Sequence, residues 1–347
     1  MGLNINDFEK VFSRPAYIQI DLTNDCNLNC QYCYNKANTL SGKQLSDKEH
    51  EIITKKVISE LTPLAVTFSG GEPLLKAKLF LHLASLLKKG DIQVHLNTNG
   101  LLITRALAKE FKKISLDGIN INIDSLSKQD QIRGGNNLLA KTLENLQILK
   151  EEFDSKRVSI SCVVTKLNYK DIMAIAEYVK ENNFRELHFL DMVPSSEEAK
   201  KILLSKEEWL EFFETYKKIK ELGIKLRLNH ALLFMREFDD KVKIPFCMAG
   251  RFRMVIAATG QIVPCNYFKE EQFVCGNALK DNLLTVWRES EVMKKFRYFN
   301  PTDKKCVNCK NVGLCTGGCR AFAKYMCGDP FVGDPYCTIY DLKNAAK

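Results

Sequence analysis

Apolar and polar positions follow two different patterns from residue 16 to about residue 228 of the chain. Short runs rich in β-branched and aromatic residues alternate with longer amphipathic segments. The short runs predict strands and the longer segments predict helices, because side chains repeat every two residues in a strand and every 3.6 residues in a helix. The predicted strands are YIQIDL, LAVTF, IQVHL, ININI, VSISCVV, ELHFL and IKLRL.

The helical segments between these strands favour a parallel sheet. One of them covers residues 46–61 and opens with the capping box that Ser46 and Glu49 can form. Repeated strand–helix units of this length require right-handed crossovers, so the sheet is either a barrel or a doubly wound sheet.

The loops that follow the strands are rich in polar residues and glycine. They read TNDCNLNC, SGGEP, NTNG, DSLSKQDQIRGG and DMVPSS. The carboxyl ends of parallel barrel strands share one face, so we expect these loops to converge on one site. Asp191, in the last of them, is a candidate proton acceptor.

Composition narrows the class of protein. No apolar stretch approaches the length of a membrane span and the amino terminus lacks a signal-peptide pattern, so we expect a cytoplasmic protein without membrane association. The net charge of +9 comes from scattered lysines, which are typical of solvated helix faces. A nucleic-acid partner is therefore not expected.

Cysteine is the unusual feature of the composition. The 13 cysteines are an odd number in a chain expected to be in a reducing compartment, which favours metal binding over disulfides. Cys26, Cys30 and Cys33 stand in the first loop and can converge on one metal centre. Three thiolates are one fewer than a closed zinc site or a fully ligated four-iron cluster needs, so either a distant residue completes the site or one position is open.

The first loop resembles the radical S-adenosylmethionine (SAM) superfamily. The similarity consists of C-x3-C-x2-C with aromatic Tyr32 before the last cysteine, followed by SGGEP after the second predicted strand. It implies that Cys26, Cys30 and Cys33 hold a [4Fe-4S] cluster whose fourth iron binds SAM. It also implies that Gly70, Gly71 and Glu72 receive the SAM amino group.

The same resemblance extends to the loops after the third and fourth strands. It implies that polar residues there contact the nucleoside and methionine parts of SAM, with Arg133 near the carboxylate. The alternative for each of these residues is a structural role in a turn or at a helix cap. The candidates are Asn97, Asp124, Ser125 and Arg133.

Nine further cysteines lie between Cys247 and Cys337, where the strand–helix alternation fades. The spacing C-x12-G-x4-C, then C-x2-C-x5-C-x3-C and a last cysteine, resembles the SPASM extension of radical SAM enzymes. The expected organisation is a partial (β/α)6 TIM-like barrel over residues 14–230 and a separate small cysteine-rich SPASM domain over 231–347, with residues 231–246 as the linker. Zinc ribbons in a nucleic-acid-binding protein are a remote alternative that leaves the convergent loops unexplained.

The SPASM resemblance implies two auxiliary [4Fe-4S] clusters. The implied ligands of the farther cluster are Cys306, Cys309, Cys315 and Cys337, and those of the nearer cluster are Cys247, Cys265 and Cys319. The nearer cluster is one thiolate short. Its remaining iron is open, has a non-cysteine ligand, or is bound by Cys275 or Cys327, both of which are otherwise expected to be small buried apolar residues.

The resemblance also implies the reaction class. Such an enzyme cleaves SAM reductively to a 5'-deoxyadenosyl radical, which abstracts hydrogen from a peptide or protein and leads to oxidation or crosslinking. Oxidative decarboxylation of a tetrapyrrole propionate is the second possibility. The implied partners are an electron donor such as flavodoxin or ferredoxin and, since about fifteen residues precede the first strand, a separate leader-peptide-recognition protein.

Overall fold

The described part of the protein contains one large sheet. The structure, a computed structural model, describes residues 13–35, 37–38, 42–228, 247–309, 312–335 and 337. The strands are β1 (Tyr17–Asp21), β2 (Ala65–Ser69), β3 (Gln93–Thr98), β4 (Gly118–Asn122), β5 (Val158–Val164), β6 (Glu186–Asp191), β7 (Leu226–Leu228), β8 (Arg253–Ile256), β9 (Gln261–Val263) and β10 (Gly276–Asn277).

Strands β1 to β7 are parallel and lie side by side in chain order. All seven predicted strands are therefore confirmed, with end points within two residues. The described sheet is open, because its edges are β7 and β10. A partial barrel of the predicted α/β type results, and the carboxyl ends of its strands share one face.

Helices connect the strands. They are α1 (Asp47–Lys56), α2 (Ala77–Lys89), α3 (Arg105–Lys113), α4 (Gln129–Arg133), α5 (Leu138–Glu152), α6 (Ile172–Glu181), α7 (Glu197–Lys201), α8 (Lys206–Glu221), α9 (Leu283–Glu289), α10 (Glu291–Arg297), α11 (Lys304–Val307), α12 (Val312–Cys315) and α13 (Arg320–Cys327). Among the described residues, no helix combines the length and apolar composition that a membrane crossing requires.

Helix α1 begins where the capping box predicts. The Glu49 amide donates to Ser46 Oγ at 3.3 Å, and the Ser46 amide donates to Glu49 Oε2 at 2.7 Å. The helix then continues as one π-helical turn over Val57–Leu61, so the predicted segment 46–61 is helical to its end.

The outer face of the sheet holds the main hydrophobic core. Alternate strand residues such as Ile20, Phe68 and Ile121 pack there against helical residues such as Phe80 and Phe111, and all five are fully buried. Each side chain removed from water in this way stabilises the fold by about 1.5–3 kcal/mol. The helices therefore cover the outer face and leave the opposite, inner face to other side chains.

The cysteine-rich part extends the same sheet. Strand β8 pairs in parallel with β1, with Tyr17 opposite Arg253, and β9 pairs antiparallel with β8. The first strand of this cysteine-rich part is thus continuous with the barrel sheet, and its division from the barrel as a separate domain stays a prediction. The predicted linker, residues 231–246, lies outside the described residues.

Candidate functional site

The three cysteines of the first loop lie together at the carboxyl end of β1. Cys26, Cys30 and Cys33 are each half-buried, and the Cys33 amide donates to the Cys30 carbonyl at 3.1 Å. Burial raises the pKa of the Cys30 thiol to about 11, and the charges of the other two cysteines act in the same direction. Their mutual influence shows that the three sulfurs share one neighbourhood. A cation bound there would oppose this rise, since it favours the thiolate form.

Gly70 and Gly71 let the second loop approach the first. A Cβ atom on Gly70 would lie 2.3 Å from the Thr23 carbonyl oxygen, and one on Gly71 would lie 2.0 Å from the Asp25 carbonyl oxygen. The Gly71 amide donates to the Thr23 oxygen at 2.7 Å. These glycines therefore allow the second loop to approach the backbone of the cysteine loop; their contact with SAM stays a prediction.

Glu72 connects the second and third loops. Its Oε1 accepts hydrogen bonds from the Leu74 amide at 2.9 Å and from Thr98 Oγ1 at 2.7 Å, and its Oε2 accepts one from the Asn99 amide at 2.8 Å. Burial raises the pKa of this carboxyl, and the three donors together with the charge of Arg133 oppose that rise. Of the residues in NTNG, Asn97 is the predicted SAM contact, whereas Thr98 and Asn99 are the residues that contact Glu72.

Tyr32, Asp124 and Arg133 form a buried group behind the cysteine loop. Arg133 Nε donates to Asp124 Oδ2 at 2.8 Å, and Arg133 Nη2 donates to the Tyr32 hydroxyl at 2.8 Å. The Tyr32 hydroxyl also donates to Asp124 Oδ2. Arg133 Nη1 faces the sulfur of Cys30 at 3.9 Å. These three predicted site residues therefore come together and hold the cysteine loop against β4.

Ser125 is occupied within its own loop. Its hydroxyl accepts from the Ser127 and Lys128 amides at 3.1 and 2.9 Å, and donates to Asp171 Oδ2 at 3.2 Å. A hydroxyl has one donor and two lone pairs, so these contacts use its capacity. The structure thus places Ser125 in the alternative role of a turn residue, and the predicted ribose contact has no support here.

The inner face of the sheet carries neutral polar side chains. Paired residues of parallel strands point to the same face, so Asn97, Asn120 and Ser159 form one row across β3, β4 and β5. Asn122 and Ser161 form the next row, and both Asn120 and Asn122 donate to Ser161 Oγ, at 3.1 and 2.9 Å. Asn120 Oδ1 is buried and has no hydrogen-bond partner among the described residues.

Two acidic residues on this face, Glu186 and Asp21, have cationic partners. Glu186 contacts Lys225 at 2.9 Å and Arg227 at 3.5 Å. Burial alone would raise the pKa of Glu186, but these two cations lower it. Nearer the cysteine loop, Lys269 contacts Asp21 at 2.7 Å.

Three cysteines of the carboxyl-terminal part meet near the end of β6. Cys247, Cys265 and Cys319 pack against one apolar cluster that contains Val193. Burial raises the pKa of the Cys319 thiol well above its usual value, and the charge of Asp191 acts in the same direction. The implied ligands of the nearer cluster therefore share one region, and Asp191 lies in it.

The other four implied ligands follow each other on short turns. The Cys309 amide donates to the Cys306 carbonyl at 3.0 Å, and the Cys337 amide donates to the Asp334 carbonyl at 3.0 Å. Burial raises the pKa of Cys315 to about 12, with Cys337 as the next contributor. Cys315 and Cys337 are therefore close despite the 22 positions between them.

The structure separates Cys275 and Cys327 from these groups. Cys275 Sγ contacts the Phe273 carbonyl at 3.5 Å, and burial raises its pKa to about 12 without a contribution from another cysteine. Cys327 is exposed at the end of α13, so its expected burial is wrong. Cys162 is fully buried in β5, as expected for core packing.

The donor set suits polynuclear iron–sulfur centres. Iron–sulfur clusters are held by cysteine thiolates, and both the first loop and the carboxyl-terminal part bring several cysteines together. The side-chain nitrogen Nδ2 of Asn35, two positions after Cys33, is buried without a hydrogen-bond partner in the described structure. Such an orphan donor, close in sequence to Cys33, fits a bound sulfur-rich anionic group, because that group would supply an acceptor.

A hydrogen-bond network that the sequence does not predict surrounds Asn35. Lys269 donates to Asn35 Oδ1 and Asp21 Oδ2, and Gln19 Nε2 donates to Asp21 Oδ1 at 2.7 Å. Arg253 Nη2 then donates to Gln19 Oε1 at 2.5 Å. Lys269 stands in the sequence FKEEQ, which resembles any solvated surface segment, so no sequence signal distinguishes it.

Comparison with known proteins is consistent with this geometry. Residues 20–179 match the family model of the radical SAM superfamily, and residues 247–310 match that of the SPASM iron–sulfur cluster-binding domain. The chain is 26% identical to an AdoMet-dependent heme synthase of Oleidesulfovibrio alaskensis, over 94% of this chain and 88% of that protein. It is 25% identical to a mycofactocin maturase of Mycolicibacterium smegmatis, over 96% and 85%.

A solved structure supports the fold. The crystal structure of Streptococcus suis SuiB bound to its precursor peptide SuiA superimposes with a TM-score of 0.76 at 20% identity, covering 94% of this chain and 76% of SuiB. Together these similarities show an enzyme that uses SAM and iron–sulfur clusters. The chain therefore contains a radical SAM superfamily domain over residues 20–179 and a SPASM iron–sulfur cluster-binding domain over residues 247–310.

Proposed function

We propose that this enzyme abstracts a hydrogen atom from a peptide or protein substrate and leaves it oxidised or crosslinked. The observation that carries the proposal is a group of neutral polar side chains on the inner face of the sheet: Asn97, Asn120, Asn122, Ser159 and Ser161. A peptide backbone both donates and accepts hydrogen bonds, as carboxamide and hydroxyl side chains do.

The charged residues of this face agree with a peptide. Arg227 is paired with Glu186, and Lys269 is paired with Asp21. A substrate that carries carboxylates would need cations to balance its charge, and two cations of this face, Arg227 and Lys269, already have acidic partners. The relatives named mycofactocin maturase and the SuiB structure with a precursor peptide add support for a peptide substrate.

Each cysteine group has a proposed role. Cys26, Cys30 and Cys33 would hold the cluster that binds SAM, and this cluster would supply the electron for reductive SAM cleavage. Glu72, between the second and third loops, would offer a carboxylate to the SAM ammonium, and Arg133 would stabilise negative charge beside Cys30.

The carboxyl-terminal cysteines would hold the auxiliary clusters. Cys247, Cys265 and Cys319 would bind the nearer one, which could accept the electron that the substrate loses after hydrogen abstraction, giving the oxidised product. The farther one would be bound by Cys306, Cys309, Cys315 and Cys337. We expect the initial electron to come from a flavodoxin- or ferredoxin-type donor, and a separate protein to present a leader peptide.

A second candidate function is oxidative decarboxylation of a tetrapyrrole propionate. It is favoured by the similarity to AdoMet-dependent heme synthases, which extends over 94% of the chain in one relative. A tetrapyrrole presents propionate carboxylates, whereas a peptide backbone is uncharged. The two functions therefore require different charges on the inner face.

The deciding experiment supplies both substrates. Anaerobically loaded enzyme would be incubated with SAM, a reductant and either short peptides encoded beside its gene or iron coproporphyrin. We expect 5'-deoxyadenosine together with a peptide that has lost two hydrogens. Loss of carbon dioxide from the porphyrin, with unchanged peptides, would instead establish the second function.

A further inference from the structure

We propose that Lys269 is a positioning residue through which the SPASM part of the chain orients Asn35 and raises the reduction potential of the cluster held by the first cysteine loop. This inference does not depend on whether the substrate is a peptide. It concerns a lysine that neither the family matches nor the sequence motifs single out.

Lys269 reaches both ends of the cysteine loop. It follows β9 in the SPASM part, yet its ammonium lies 2.7 Å from Asp21 Oδ2, on the last residue of β1. The same ammonium donates to Asn35 Oδ1, two positions after Cys33. One side chain therefore connects the segments that enter and leave the loop, across 248 and 234 positions of sequence.

The contact fixes the direction of the Asn35 amide. Because Oδ1 faces Lys269, the NH2 group, which diverges from Oδ1 within the carboxamide plane, points away from Lys269. Asn35 is 3% exposed, and its Nδ2 has no hydrogen-bond partner among the described residues. A buried donor left unpaired is costly, and an acceptor supplied by a bound group is one of the few explanations for it. Cluster sulfur is such an acceptor.

The charges of the Lys269 network favour electron uptake. Asp21 contributes one negative charge, while Lys269 and Arg253, the latter through Gln19, contribute two positive charges to the same network. The side chains of Lys269 and Asp21 are 15% and 1% exposed, so water screens these charges only partly. Reduction adds a negative charge to a cluster, and net charge together with hydrogen bonds to sulfur sets its potential.

Removal of the lysine charge should make reduction of this cluster harder. Lys269→Met keeps the apolar stem and loses the charge, leaving Asp21 without its cation. At the potential where half of the wild-type cluster is reduced, we expect the ratio of reduced to oxidised cluster to fall about tenfold, the effect of one charge in a partly buried site. Lys269→Arg keeps the charge and should restore most of the ratio.

The experiment is a redox titration of the loaded enzyme followed by electron paramagnetic resonance. The first cluster is identified as the component whose spectrum changes when SAM is added. Lys324→Met is the matched control, because Lys324 belongs to the same part of the chain, is 13% exposed and contacts Glu270 at 2.6 Å. It should leave the SAM-responsive potential unchanged.

Two results would overturn the proposal. One is a Lys269→Met enzyme with wild-type potential in the SAM-responsive component, and the other is an equal shift in Lys324→Met. If Lys269→Met does not retain the first cluster, Asn35→Asp decides, since it keeps an oxygen for Lys269 and removes the N–H donor. An unchanged SAM-responsive potential in Asn35→Asp would then refute the role of the amide.

Discussion

Arg133 Nε lies 2.8 Å from Asp124 Oδ2 in the interior of the protein, where the two side chains are 7% and 0% exposed. Asp124 Oδ1 accepts a hydrogen bond from the Val163 amide at 2.8 Å, so the pair also joins β4 to β5. We expect Arg133→Met to lower the free energy of unfolding by about 3–5 kcal/mol, because it leaves a buried carboxylate without its cation. Urea unfolding under anaerobic conditions measures this loss, and iron content shows whether the first cluster is retained.

An exposed arginine provides the control for this variant. Arg105 is 53% exposed and contacts Glu151 at 2.6 Å. Exposed ion pairs contribute little, so Arg105→Met should cost less than about 1 kcal/mol. Equal effects of the two substitutions would mean that the Arg133 pair has no special structural role.

Gly71 should tolerate no side chain. Its Cβ would lie 2.0 Å from the backbone oxygen of Asp25, which cannot rotate away as a flexible side chain could. Gly71→Ala should therefore displace the cysteine loop, with reduced iron content and loss of SAM cleavage measured as 5'-deoxyadenosine. Gly223→Ala has φ +72° but no atom within 4 Å, so it should cost about 1 kcal/mol and leave cleavage intact. Normal iron content and normal SAM cleavage in Gly71→Ala would contradict the predicted clash between the added Cβ and the Asp25 carbonyl oxygen.

The sequence predicts the strands and the cysteine groups because both depend on local patterns. β5 coincides with the predicted VSISCVV, since seven consecutive buried residues leave little ambiguity. The pairing of β8 with β1 could not be predicted in the same way. It joins Met254 to Ile18 across 236 positions, and the four residues of β8 have no pattern that specifies a partner.

Side-chain direction is the second limit of sequence reasoning. Short polar residues after a strand are correctly expected near the site, but their spacing does not reveal which contacts they make. Ser125 contacts its own loop, and Asp124 contacts Arg133 and Val163. Ser125 and Asp124 both follow β4, and their roles differ because different neighbouring groups donate hydrogen bonds to them.

Cysteine substitutions should separate ligands from bystanders. Cys319 shares an apolar cluster with Cys247 and Cys265, whereas Cys275 contacts a backbone carbonyl away from them. With three four-iron clusters the loaded enzyme holds roughly twelve irons. We expect Cys319→Ala to lose about four of them, and Cys275→Ala to lose none. Iron analysis with Mössbauer spectroscopy distinguishes these outcomes, and loss of a cluster in Cys275→Ala would make that cysteine the fourth ligand.

Substitution of all three cysteines in the first loop gives a different result. Replacement of Cys26, Cys30 and Cys33 by alanine should abolish 5'-deoxyadenosine formation, because the electron for SAM cleavage would have no site from which to enter. The auxiliary clusters should remain, since their cysteines are held by separate elements. Cleavage that survives this change would show that the first loop has another role.

His50 should make stability depend on pH between about 4 and 6.5. It is fully buried, and its Nε2 donates to the Leu22 carbonyl at 3.1 Å, where the chain enters the cysteine loop. Burial lowers its pKa from 6.5 to about 4. The unfolded chain therefore takes up a proton before the folded protein does, so stability is complete above pH 6.5 and falls as the pH drops toward 4. The shift corresponds to about 3 kcal/mol.

A variant isolates this contribution from the other titrating groups. His50→Gln keeps a donor for Leu22 but does not titrate, so its stability relative to wild type should rise by about 3 kcal/mol as the pH falls from 7 to 4. His82, with a side chain 51% exposed, supplies the matched His82→Gln control, whose stability relative to wild type should change little. Urea unfolding at several pH values measures the difference. Parallel pH profiles for His50→Gln and wild type would show that His50 has the same pKa in the folded and unfolded states and does not set the acid limit of the fold.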